Sequence, residues 1–275
     1  GGPVDRAELK IGINGKPATV RQLLDPTSDL FLLLVLDFSG DLSLVDPARQ
    51  AILRRIGELP ANSRVALMRF QDGLRVAVDP TKTRDDLTAA IEAVTIAARP
   101  GLLTSMESVQ ELADSIAARA RVRVAALMVS DSNVIEYQED YTNPVVNSSD
   151  SGDMSRRFPE GLINEKLRQM TARLRHGETP MYLVHLQYLS DRLNTAYQSG
   201  LMELIRASGG EAEFCRSIAD IPNAVYRAFD AITGSQYLAE VDWAGNRSGT
   251  LDVVVKAGDR EIHSRARRQF STKGK

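Results

Sequence analysis

Cysteine is almost absent: 275 residues contain one, Cys215. No internal disulfide can form, so the fold has to hold by packing and hydrogen bonding. Histidine is nearly as rare. His176, His185 and His263 stand far apart, in an expected loop and two expected strands, which fits satisfied or exposed imidazoles better than a nitrogen-rich metal site. Aromatic residues make up 5% of the chain, with Trp243 the single tryptophan, too few for a platform of stacked bases. Charge is balanced as well, and a formal net charge of −2 gives no long-range pull toward nucleic acid or an anionic membrane. The Arg265, Arg267, Arg268 cluster then reads as a solvated strand face. No apolar run approaches the roughly 20 residues that span a bilayer, and no Gly-x-Gly-x-x-Gly follows an expected strand, which removes the dinucleotide-binding fingerprint. Gly1-Gly2 reads as a cloning remnant, so a cleaved leader ahead of it is compatible with the sequence.

What is present describes a globular chain. With 43% hydrophobic and 25% charged residues, one large core, or a main domain with a small attachment, is expected. Leu9 to Val20 alternates around Asn14-Gly15, a hairpin signal because both turn positions need positive φ. Phe31 to Leu36 is continuously apolar, as suits a central strand covered on both faces. Asp46-Pro47 predicts an N-cap and first-turn proline for a helix burying Ala48, Ile52, Ile56 and Leu59. Arg64 to Phe70 and Leu74 to Val78 are expected to pair antiparallel across Gln71-Asp72-Gly73, and Thr83 to cap the next helix with an acid three positions on. Gly101 to Ser105 leads into a helix predicted to bury Met106, Val109, Leu112, Ala113 and Ile116. Val122 to Val129 is a second buried strand. Ser132 to Pro159 lacks periodicity, and so long a loop is usually functional or mobile.

Beyond it, helices are expected at Leu162–Leu174, Thr195–Ala207 and Ile221–Ile232, and strands at Met181–Gln187 and Glu211–Cys215. Tyr237–Val241, Gly249–Lys256 and Glu261–Arg267 read as an antiparallel meander. The expected class is α/β: a doubly wound, mostly parallel sheet flanked by helices over residues 31–235. A small antiparallel β subdomain would combine a hairpin in residues 1–30 with the strands of residues 236–275.

Polar residues concentrate where such a sheet binds ligands, outside the carboxyl ends of its strands. Asp37, Ser39 and Asp41 follow the first core strand, Thr104 precedes a helix, and Asp131 follows the second core strand. Oxygen donors without histidine or cysteine select Mg²⁺, Mn²⁺ or Ca²⁺ over zinc or copper. Strand-end acids beside helix N-termini are also favoured by the helix dipole alone, by about 0.3–1 kcal/mol, so either aspartate by itself has a plain structural explanation.

The five residues together resemble the adhesion site of von Willebrand factor type A domains. That family carries Asp-x-Ser-x-Ser after its first strand, a threonine in a later loop and an aspartate after a further strand; here the counterparts are Asp37-Phe-Ser39-Gly-Asp41, Thr104 and Asp131 in Val-Ser-Asp-Ser. The similarity runs from about Phe31 to Ile232, and the Asn-Gly-Lys-Pro hairpin and the Gln236-Tyr237-Leu238 strand entry are similar to a bacterial, secreted or envelope-associated subgroup. The resemblance implies a non-enzymatic domain in which hydroxyls contact a divalent cation directly or through water, the aspartates act mainly through waters, and a partner's acidic side chain completes the shell.

Three departures bear on that expectation. Asp41 stands where the motif has serine, Leu102-Leu103 precedes Thr104 where glycine is usual, and Ser132 replaces a common glycine. An added carboxylate at Asp41 would neutralise a cation more fully and weaken its attraction for a partner carboxylate; direct coordination favouring Ca²⁺ and a site that has lost its cation are the other readings. Two further functions remain open: a phosphoryl-transfer enzyme of the haloacid-dehalogenase type, which would need an acid where Ser39 stands, and an assembly module working through its β subdomain.

Overall fold

Asn14 and Gly15 both adopt positive φ, 50° and 73°, and so turn the chain between β1 (Leu9–Ile13) and β2 (Lys16–Leu24) as the sequence predicts. The structure is a computed structural model that describes residues 4, 6–70, 73–97, 100–134, 159–174, 177–243, 245, 248–257, 260–262 and 269–271. The Arg265 cluster, His176, His263 and most of the Ser132 to Pro159 segment lie outside the described residues.

The hairpin belongs to an antiparallel sheet with β9 (Leu238–Asp242), β10 (Ser248–Ala257), β11 (Arg260–Ile262) and β12 (Gln269–Ser271). Its order, β11-β10-β1-β2-β9, corrects one expectation. β9 and β10 do not meet as a meander; the hairpin slides between them, pairing β1 with β10 and β2 with β9. Each of the two hairpin strands thereby gains a second partner, and Ile11, Ile13 and Val20 are buried in a small core of their own.

The main sheet has β3 (Leu30–Asp37), β4 (Ser63–Phe70), β5 (Leu74–Thr81), β6 (Arg123–Ser130), β7 (Met181–His185) and β8 (Ala212–Phe214). Their order is β5-β4-β3-β6-β7-β8, parallel except for β5, which returns antiparallel to β4. Connections leave β3 toward both sides, so the strand order reverses there. Side-chain alternation splits the continuous apolar run of β3 between two cores. Leu30, Leu32, Leu34 and Leu36 pack under α1 (Leu42–Glu58), α2 (Arg84–Glu92) and α6 (Ile221–Gly234). Leu33 and Val35 pack under α3 (Leu102–Ala120), α4 (Pro159–Leu174) and α5 (Arg192–Ala207). Burial on both faces is what a central parallel strand requires.

Helix starts differ from the sequence reading at α1 and α3, and α4 and α5 begin at Pro159 and Arg192, ahead of the expected Leu162 and Thr195. α1 begins at Leu42, and its cap is Asp41, whose side chain accepts from the Ser43 N–H; Asp46 and Pro47 lie inside the helix. A proline there removes one intrahelical donor, but the cap satisfies an orphan N–H a turn earlier, and Leu44 and Val45 bury apolar surface ahead of Pro47. Thr83 does hold the cap position of α2 but makes no side-chain cap bond. α3 begins at Leu102 and so includes Thr104; Leu112 faces outward at 38% exposure while Gln110 turns inward to bond the Thr179 carbonyl.

Arg123 joins the two sheets. Its buried guanidinium donates to the carbonyls of Pro26, Ser28, Ile232 and Gln236. Pro26, Ser28 and Gln236 lie on the two chain segments that pass between the sheets, and Ile232 is in the last turn of α6, so one side chain ties down both crossings.

Candidate functional site

Parallel pairing of β3 with β6 sets Asp37 opposite Ser130 at the carboxyl ends of the two strands. The next residue, Asp131, then reaches across the end of β3. One oxygen of the Asp131 carboxylate accepts from the Ser39 N–H at 2.7 Å and the Ser39 hydroxyl at 3.2 Å, and the other accepts from the Gly40 N–H at 2.7 Å. Gly40 is needed for this approach, since a Cβ there would sit 2.9 Å from the Asp131 carboxylate. Asp37 faces the other way. Its Oδ1 accepts from the Gly101 N–H at 2.8 Å and its Oδ2 from the Ser130 hydroxyl at 2.8 Å.

Gly101 ties the start of α3 to the same point. Its carbonyl receives the Thr104 hydroxyl at 3.1 Å and the Ser105 N–H at 2.9 Å, and a Cβ on it would collide with the Phe70 ring at 1.8 Å. Asp37 is thus linked to Thr104 by way of Gly101 and Ser39 directly to Asp131, and the Asp131 N–H donates to the Asp37 carbonyl at 3.4 Å, so four of the five candidates form one cluster. Thr104 is exposed in the first turn of α3 rather than in a loop ahead of it. Asp41 is exposed beside them, with one oxygen engaged in capping α1 at 2.7 Å from the Ser43 nitrogen.

A second layer of polar groups escaped the sequence reading. The Ser130 hydroxyl lies 3.0 Å from that of Ser132, which meets the Tyr197 hydroxyl of α5 at 3.1 Å. His185 Nε2 lies 2.6 Å from the Ser132 carbonyl, and its ring stacks on Phe214. The available signal was the repeated serine in Ser130-Asp-Ser132: two hydroxyls flanking an acid at a buried strand end need partners. The partners, on β7 and α5, are more than 50 residues away, and no local pattern names them.

Both carboxylates are buried, Asp37 at 1% exposure and Asp131 at 3%. Burial pushes the Asp37 carboxyl up to about 6, against the opposing pull of the Gly101 and Ser130 hydrogen bonds and with a further push from the neighbouring Asp131 charge. Burial raises Asp131 too, while the Ser39 and Gly40 donors pull it down. His185 moves the other way, since complete burial drives its imidazole down to about 4. Asp41, in solvent, is held below the usual carboxylate range by its Ser43 hydrogen bonds. Cys215 is buried and its thiol is pushed up to about 12, mainly by desolvation, so it is an inert packing group.

Comparison with solved structures settles the architecture. The chain superposes on a von Willebrand factor type A protein from Catenulispora acidiphila with a TM-score of 0.54 at 11% identity, covering 97% of this chain and 59% of that one. The chain has the von Willebrand factor type A fold. A D319A mutant of the PilB minor pilin from Streptococcus sanguinis aligns with a TM-score of 0.51 at 12% identity over 75% of this chain and 61% of that one. The vWF domain of the type V pili tip protein Mfa5 from Porphyromonas gingivalis aligns with 0.50 at 14% identity, over 75% and 95%. The chain therefore spans about three-fifths of the Catenulispora and PilB chains. No family profile and no curated protein sequence matches it.

Asp37 and Asp131 lie at the carboxyl ends of β3 and β6, where the strand order reverses and open α/β sheets bind ligands. Among the described residues no three histidine, cysteine, aspartate or glutamate side chains converge; the cluster combines two carboxylates with hydroxyls. The donor chemistry fits a hard divalent cation. Two buried carboxylates stand together, and no basic side chain is hydrogen-bonded or ion-paired to either among the described residues.

Proposed function

We propose that this protein is a non-enzymatic interaction domain that docks a protein or peptide at the carboxyl end of its parallel sheet, with a divalent cation as part of the contact. The observation that carries this reading is the pair of buried carboxylates, Asp37 and Asp131, which among the described residues have no basic side chain bonded to them. Ser39, Thr104, Asp37 and Asp131 would hold Mg²⁺, Mn²⁺ or Ca²⁺, with Asp41 at the rim. The cation, when bound, supplies a positive charge for an acidic side chain of the partner.

The protein's own residues prepare that site. Gly101 and Ser130 hold Asp37, and Ser39 and Gly40 hold Asp131, so neither carboxylate has to be ordered when a ligand arrives. The same contacts argue against phosphoryl transfer, because a nucleophilic Asp37 would have to be accessible and its acid partner would have to stand where Ser39 does. An extracytoplasmic, bacterial setting is part of the proposal, supported by pilus proteins that share the fold; among the described residues no helix is long and apolar enough to cross a membrane. Residues 31–235 would form the interaction domain, with residues 1–30 and 236–275 as its β attachment. Titration calorimetry with Mg²⁺, Mn²⁺ and Ca²⁺ on the wild type and on Asp37→Ala tests the reading. Heat of binding in the wild type alone is expected; no uptake by either protein at millimolar cation would sink it.

A further inference from the structure

At the opposite end of the parallel sheet, where β6 and β7 begin, a cleft of about 320 Å³ separates the antiparallel sheet from the α/β body. The two strands of the antiparallel sheet border it differently. β2 contributes the alternate residues Gln22 and Leu24, one side-chain face, whereas the chain entering β9 contributes five consecutive residues, Gln236 to Glu240, of which Leu238, Ala239 and Glu240 belong to the strand. Strand side chains alternate between faces, and Ala239 packs with Val241 in the small core on the other side. The β9 backbone itself therefore borders the cleft. β9 is also the last strand of its sheet, and among the described residues it pairs only with β2, so its second edge presents N–H and C=O groups to an incoming strand.

Two other features of the lining favour a hydrogen-bond donor. Thr179 and Gln236 are buried at 2% and 8% exposure, and Thr179 Oγ1 and Gln236 Oε1 have no hydrogen-bond partner among the described residues. Gln236 is fixed in orientation because its amide nitrogen donates to the Val124 carbonyl. The charges of the lining are the exposed Glu178 and Glu240 against Arg121; Arg21, which lies near Glu240, is already ion-paired with Asp242.

We propose that this cleft binds an extended basic segment of a partner protein, which adds to the free edge of β9 as a further strand and directs lysine or arginine toward Glu178 and Glu240. Strand addition supplies the affinity through backbone hydrogen bonds, and the two glutamates select the charge. The site is separate from the carboxylate pair, so it is tested in EDTA. The probe is an array of fluorescein-labelled, capped heptapeptides that alternate valine or threonine with lysine, read by anisotropy against the full chain. Saturable binding is expected, weakened about tenfold in the double variant Glu178→Lys/Glu240→Lys, and lost when glutamate replaces lysine or when alternate peptide amides are N-methylated. Both glutamates are exposed, so the variant keeps the wild-type melting temperature. Absence of binding at about 1 mM peptide, equal binding of lysine and glutamate peptides, or indifference to the double variant would overturn the proposal. A concentration-dependent dimer that Glu240→Lys dissolves would overturn it in favour of a second copy of this chain.

Discussion

Replacing Asp37 with asparagine should make the metal-free protein more stable at neutral pH while removing its cation binding. In the unfolded chain Asp37 titrates near 3.8, and in the fold burial moves it up to about 6. Between those values the folded state holds a proton that the unfolded state has released, so stability falls as pH rises. At about 1.4 kcal/mol per pH unit the loss is about 3 kcal/mol. His185 has the opposite sign. Its imidazole goes from 6.5 down to about 4, so the unfolded state binds more protons over nearly the same range, and stability rises with pH by about 3 kcal/mol.

The Asp37 and His185 contributions therefore nearly cancel in the wild type, while Asp131, also raised by burial, adds the sign of Asp37 to wild type and variant alike. Asp37→Asn removes the Asp37 contribution. The new amide nitrogen would face the Ser130 hydroxyl, which can turn to accept while passing its own hydrogen to Ser132 at 3.0 Å. Allowing about 1 kcal/mol for that mismatch, the variant should exceed the wild type by about 2 kcal/mol at pH 7.5 in EDTA, with its advantage over the wild type growing from pH 4 to 6.5. Urea unfolding followed by circular dichroism across that range measures both quantities. Saturating Mg²⁺ should then stabilise only the wild type, by about 2.7 kcal/mol at a hundredfold excess over Kd. A variant that is less stable than the wild type in EDTA at pH 7.5, or that keeps the wild-type pH profile, refutes the argument.

His185→Gln should show the mirror image: stability that declines from pH 4 to 6, in the same unfolding assay. Arg123→Met removes the donors to four carbonyls and should cost at least about 3 kcal/mol; Trp243 fluorescence in the antiparallel sheet should fall at lower urea than the far-ultraviolet signal of the helices, and coincident transitions would contradict the joining role. Gly101→Ala should destabilise by about 1–3 kcal/mol through its clash with Phe70, and the same calorimetry should find weaker cation uptake because the N–H on Asp37 moves. Asp41→Ser should leave the melting temperature unchanged, since serine caps a helix as well as aspartate does, and calorimetry with Mg²⁺ against Ca²⁺ then reads the contribution of the extra carboxylate.

The hairpin at Asn14-Gly15, the central strand at Phe31–Leu36 and the acids that end β3 and β6 were legible because each is a local rule. Positive φ at two adjacent turn residues, burial on both faces and polarity at a strand end are all set by neighbouring residues in the chain. Helix starts were harder to read. Asp46-Pro47 is as good a local start signal as Asp41, and the choice fell to the earlier residue where Leu44 and Val45 reach the core. Leu112 fits a helical stripe equally well, yet the loop that carries Thr179 claims the neighbouring position for Gln110.

By itself the sequence determined an α/β chain with strand-end acids and hydroxyls of the kind that gather a hard cation. Tertiary structure decided which of them meet: parallel pairing of β3 with β6 puts Asp37 beside Ser130 and carries Asp131 onto Ser39 and Gly40. It also decided that the hairpin lies between β9 and β10, which leaves β9 paired on one side alone among the described residues, beside a cleft. Strand order is a contest among non-local pairings that bury comparable surface, and local patterns carry no record of which pairing wins.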